Sequence, residues 1–209
     1  MFRTAILALV TSLPGALGAH PHIFVDATVK VELGDAGMIT GVEVTWVYDD
    51  FFTLLILEDM GLDPEADGVL TEAELDELRG FDLVEWPDWF EGDLYLVNGD
   101  ETAEIGLPTA TGVAVEEGRI VASHRRDVTP FPAEGTVIEA YDPTFYVAYE
   151  LVGVRLPERC AAPITEADPE EADARVAEIV GEVDELTFET LEIGHLYADK
   201  ARITCASSS

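Results

Sequence analysis

The chain has 209 residues, 48% of them hydrophobic, and carries 43 acidic against 11 basic side chains for a formal net charge of −32. That balance argues against nucleic-acid binding and disfavours anionic membrane surfaces, because no basic stripe offsets the repulsion of phosphates. It favours cations and basic partners, while the apolar content argues for a packed core rather than disorder.

Most of the carboxylates read as a solvated acidic surface, so no single carboxylate pair marks acid–base catalysis. Residues 1–19 read as a secretory signal: Arg3, the apolar run Ala5–Val10, then small residues to Ala19. Such a segment predicts export from the cytoplasm. The apolar run is too short to span a bilayer, and the mature chain is expected to have no transmembrane segment. Cleavage after Gly18 and after Ala19 are both open.

His20-Pro-His22 follows. Residues two apart in an extended chain share a face, so His20 and His22 can converge on one metal ion. Imidazole nitrogen suits Zn2+, Ni2+, Co2+ or Cu2+. A cut after Ala19 adds the α-amine of His20 to that donor set. From His20 to Leu33 the pattern alternates, with Ile23, Val25, Ala27, Val29, Val31 and Leu33 on one face, which predicts a half-buried strand. A turn at Gly34–Gly37 and alternation of Val42, Val44, Trp46 and Tyr48 predict a hairpin.

Asp49 or Asp50 caps a predicted helix over Phe51–Leu57, apolar nearly all round and expected to be buried. The segment Asp63–Glu74 then has the spacing of a calcium loop. Oxygen donors fall at positions one, three, five, nine and twelve (Asp63, Glu65, Asp67, Thr71, Glu74), with Gly68 at six and the Val69 carbonyl at seven. A hard divalent cation needs six to eight oxygens, and this spacing wraps one loop about one Ca2+. Glu65 stands where Asp or Asn is usual. Thr71 and Glu74 also form a capping box, opening a helix over about 72–79.

Beyond Trp86, short strands separated by Gly, Pro and Asp are predicted over 93–97, 102–107, 112–116, 119–125, 136–141 and 145–151. A helix is predicted over 169–180 and a last strand over 201–205. Cys160 and Cys205 are the only cysteines, and an even count in an exported chain predicts one disulfide. His124 lies beside Arg125 and Arg126, which argues against a metal ligand. His195 reads as a hydrogen-bonded structural residue. The fold class expected is α+β, mainly antiparallel β and sandwich-like, with an inserted EF-hand-like helix–loop–helix. One β-rich domain spans 20–206, with the helical calcium-loop insertion at about 50–80 and a disordered tail at 207–209.

Signal segment, His20-Pro-His22-Ile-Phe-Val-Asp26, acidic helical insertion, the turn Tyr141-Asp-Pro143 and the strand ending in Cys205 together resemble the domain of unknown function 1007 family. The resemblance runs through nearly all of the mature chain. It implies a periplasmic component of an uncharacterised transport system, encoded beside nickel/cobalt-type or zinc transporters. It places His20 and His22 in the family's N-terminal histidine positions.

The function expected is therefore a non-catalytic periplasmic metal-binding protein. Calcium sits in the EF-hand-like loop, and His20 and His22 handle a transition metal for an inner-membrane metal transporter. Two other classes stand beside it: a calcium-stabilised interaction module without transition metal, and a copper oxidative enzyme built on an N-terminal histidine chelate.

Overall fold

Strict alternation of branched apolar residues builds the first hairpin. Val25, Ala27, Val29 and Val31 of the first strand are buried, as are Val42, Val44, Trp46 and Tyr48 of the second, and each large side chain so buried contributes about 1.5–3 kcal/mol. The computed structural model describes residues 21–65, 67–84, 86, 90, 92–181 and 191–206. The expected signal segment, His20 and the expected tail lie outside them.

In chain order the strands are β1 (Ile23–Leu33), β2 (Met38–Tyr48), β3 (Leu94–Asn98), β4 (Glu101–Thr102), β5 (Thr109–Glu116), β6 (Arg119–Pro132), β7 (Val137–Ala140), β8 (Val147–Arg155), β9 (Cys160–Ala161), β10 (Ile164–Thr165), β11 (Lys200–Arg202) and β12 (Thr204–Cys205). One sheet has the order β5-β6-β2-β1-β8 and a second the order β10-β11-β7-β3-β4. Their pairings are antiparallel with one exception. β8 runs parallel to β1, from Ile23 opposite Val147 to Lys30 opposite Arg155. Val44 and Ile120 from the first sheet and Leu96, Ile138 and Ala201 from the second join one core.

β9 and β12 form a separate ribbon in which Cys205 lies opposite Cys160. The two are joined as the predicted disulfide, closing a loop of sequence separation 45. By loop-closure entropy such a crosslink stabilises the fold by about 4 kcal/mol.

The α-helices among the described residues are α1 (Asp50–Met60), α2 (Glu72–Leu78) and α3 (Pro169–Val180). Asp49 caps α1 by accepting from the Phe52 N–H, and left-handed Gly61 ends it. The buried Thr53 hydroxyl accepts the Ile120 N–H at 3.0 Å, tying α1 to β6. The expectation of a helix buried all round is corrected here. Thr53 and Leu57 are buried, whereas Phe51, Leu54 and Leu55 are 74%, 66% and 51% exposed. A helix laid on one sheet buries one stripe, and its far side needs another layer; among the described residues none covers it. No described helix is long and apolar enough to cross a membrane.

Candidate cation loop and an acidic aromatic cleft

Buried Leu62 anchors the start of the 63–74 loop, which lies between α1 and α2. Asp63 adopts φ +53°. Its carboxylate accepts the Asp67 N–H at 3.1 Å and the Gly68 N–H at 2.9 Å. Gly68 has φ +76°, the left-handed conformation for which glycine carries no Cβ penalty. Asp67 accepts the Val69 N–H at 2.9 Å.

Glu74 reaches back across the loop. One oxygen accepts the Asp63 N–H at 3.1 Å, and the other accepts from the Thr71 N–H at 2.8 Å and the Thr71 hydroxyl at 2.7 Å. These donors, the Thr71 hydroxyl first, hold the Glu74 carboxyl below its usual range. The capping box is thus present in full. The structure joins the first and last acidic residues of the loop through backbone amides. Glu65 is exposed, and Val69 is 70% exposed. Among the described residues, no three His, Cys, Asp or Glu side chains stand close enough to hold a metal ion.

His20 lies outside the described residues. His22 is exposed, one residue before β1. Its N–H donates to the Tyr146 carbonyl at 2.9 Å, and its ring lies 4.8 Å from that of Tyr146. His195 is exposed on a 3₁₀ turn, edge-on to Tyr141 at 6.3 Å. His22 and His195 therefore contact opposite ends of the same Tyr141–Tyr146 turn.

That turn is built by Asp142. One carboxylate oxygen accepts the Thr144 N–H and hydroxyl, and the other accepts the Tyr146 and Val147 N–H groups at 2.9 and 3.0 Å. The backbone of Gly194 presses against it, with the Gly194 N–H donating to the Pro143 carbonyl at 2.9 Å. Beside this junction opens a cleft of about 660 Å³ lined by Asp93, Tyr95, Tyr141, Asp142, Glu192 and His195, among others. Tyr95 and Tyr141 stack at 4.2 Å with planes 15° apart. A second cavity of about 690 Å³ shares Phe90, Tyr95 and Tyr141 with it.

Sequence reasoning missed this cleft. Asp93 and Glu192 are two carboxylates among 43, and nothing in their local spacing sets them apart. The Asp-Pro turn and its aromatics, Tyr141 to Tyr146, are the one legible signal, and such a cluster reads first as core packing.

Asp93 and His124 are buried titratable groups with strongly displaced equilibria. Asp93 is 5% exposed. Burial pushes its carboxyl up to about 7, against the Tyr149 hydroxyl that donates to it at 2.8 Å. His124, 1% exposed on β6, packs edge-on to Trp46 at 4.7 Å and Trp86 at 5.9 Å. Burial first, and the Arg126 charge second, lower its imidazole to about 4. Neither ring nitrogen has a hydrogen-bond partner among the described residues.

A search of curated proteins finds no match. A family model described as protein of unknown function (DUF1007) matches residues 5–205, nearly the whole length. With the match extending from before the β1–β2 hairpin through the Cys160–Cys205 ribbon, the chain belongs to the DUF1007 family.

Proposed function

We propose that this protein is a non-catalytic ion-handling protein of the periplasm. Ca2+ is held by the 63–74 loop, and a transition metal (Zn2+, Ni2+, Co2+ or Cu2+) is taken by His20 and His22 for delivery to an inner-membrane metal transporter. The observation that supports it most is the closure of the loop upon itself. Glu74 accepts from the Asp63 and Thr71 N–H groups, so the last acidic residue of the loop reaches back to the backbone of the first. The donor set is all oxygen, which fits a hard cation: carboxylates from Asp63, Glu65, Asp67 and Glu74, the Thr71 hydroxyl and the Val69 carbonyl. A calcium ion there would hold α1 and α2 in register. The exposed His22 ring supplies a nitrogen for the softer metals.

Calorimetry on chelator-dialysed protein tests the reading in two parts. Ca2+ is expected to bind with a Kd on the order of 10⁻⁴ to 10⁻³ M and to raise the melting temperature. Glu74→Gln, which removes the charge, is expected to weaken it at least about tenfold. No calcium heat and no thermal shift sinks the loop assignment. Separately, Zn2+, Ni2+, Co2+ and Cu2+ are titrated into wild type and His22→Ala. Equal affinities in the two proteins dispose of the transition-metal part.

A further inference from the structure

We propose that the cleft beside the Tyr141–Tyr146 turn binds a small organic cation, an ammonium, guanidinium or amidinium group attached to an apolar body. Among the described residues the lining holds three carboxylates, Asp93, Asp142 and Glu192, and no lysine or arginine. A cation over an aromatic face is attracted by the ring quadrupole, and the stacked Tyr95–Tyr141 pair lies in the same wall. The acids act on that wall. Burial raises the Tyr141 hydroxyl first, and the charges of Glu139, Glu192 and Asp93 raise it further.

The cleft volume of about 660 Å³ falls in the range of small-molecule sites. A bare metal ion suits it poorly. The stacked Tyr95 and Tyr141 faces present π density rather than lone pairs, and the carboxylates around them come from separate segments of the chain. Their charge acts through space, which serves a diffuse organic cation better than an ion that needs direct ligands. The wall is preformed, because Gly194 packs backbone-on-backbone against the turn.

A purely structural reading leaves Asp93 unexplained. A carboxylate 5% exposed is costly unless its charge is paired. The hydroxyl of Tyr149, a neutral group, donates a hydrogen bond to Asp93. The guanidinium of Arg126 is felt at Asp93, more weakly than its burial or the opposing charge of Asp142. A cation in the cleft offsets what remains.

The test is a titration of benzamidine, its neutral isostere benzamide and anionic benzoate into the intact protein, followed by NMR. It is run near pH 8 in about 150 mM salt, which screens distant surface charge. Benzamidine is expected to bind at least about tenfold tighter than benzamide, a difference of about 1.4 kcal/mol, and benzoate not at all. Glu192→Gln, on an exposed side chain, should weaken benzamidine about threefold to tenfold and leave benzamide unchanged. Glu116→Gln, at the exposed end of β5, should change neither.

Equal binding of benzamidine and benzamide overturns the proposal, as does failure of all three to bind at millimolar concentration. Equal weakening by the two glutamine variants also overturns it, since that marks general attraction to an acidic surface. A Gly-Arg-Gly peptide added as a further arm distinguishes sources. Tighter binding than benzamidine assigns the cation to a partner's side chain, and weaker binding assigns it to a free small molecule.

Discussion

Asp93→Asn raises the unfolding free energy near pH 8 by about 4 kcal/mol, and the gain vanishes as the pH falls towards 4. Few single substitutions stabilise a protein so much. The reason is the buried charge. The Asp93 carboxyl is lifted from 3.8 to about 7, so between those values the folded state binds more protons than the unfolded state. The Asp93 contribution to stability is therefore full below 3.8 and is lost as pH rises through 7, by about 1.4 kcal/mol per pH unit. Asparagine keeps an acceptor for the Tyr149 hydroxyl and tolerates the left-handed φ of +52° found at this position. Urea denaturation of both proteins over pH 4–8 checks it. An Asn variant less stable than wild type at every pH would mean that the carboxylate is fully paired.

His124 supplies the opposite slope. Its imidazole is lowered from 6.5 to about 4, so the unfolded state binds more protons between these values and stability is lost as pH falls through them. The total is about 3 kcal/mol. In the wild type the two trends largely cancel between pH 4 and 6.5, and His124→Phe exposes the Asp93 slope alone. The difference between variant and wild type at each pH isolates one group from the remaining carboxylates. Parallel pH profiles for wild type and His124→Phe would refute the assignment.

Gly194→Ala costs about 3 kcal/mol of stability and deforms the cleft. A Cβ at this position lies 1.8 Å from the Asp142 carbonyl oxygen and 3.3 Å from that of Pro143. These obstacles are backbone, so relief requires the 3₁₀ turn and the Asp142 turn to separate. That breaks the Gly194 N–H to Pro143 carbonyl bond and moves His195 from Tyr141. Gly112→Ala serves as the control, because its added Cβ meets only Ser123 at 3.9 Å. Equal urea midpoints for the two variants would show that the junction yields freely.

The long strands were legible because burial leaves a period of two, whereas the strand expected over 102–107 is reduced to Glu101–Thr102 and an isolated bridge at Ile105. β1, β2 and their hairpin follow from alternation alone, and the capping box of α2 follows from Thr71 and Glu74. The exposure of α1 was not legible, since composition reports how apolar a helix is and not how many layers cover it. The parallel β1–β8 pair was hidden for a related reason. β8 has a usual strand pattern, and its partner is chosen by long-range packing rather than by a nearby turn. The 63–74 loop was visible because its side chains bond to amides a few residues away, so spacing determines contact. The cleft draws Asp93, Asp142 and Glu192 from three remote segments, and only tertiary structure brings them together.

The place of β1 between β2 and β8 also bears on how the chain is made. One flank of β1 pairs with β2, a single turn away in sequence, while its other flank pairs with β8, which begins only at Val147, so the first can close well before the second. Through that interval Val25, Ala27 and Val29 sit on a half-finished edge, a ready template for the wrong neighbour. Assembly is thus paced by one distant closure, and the nascent chain is at its most vulnerable to aggregation before β8 arrives.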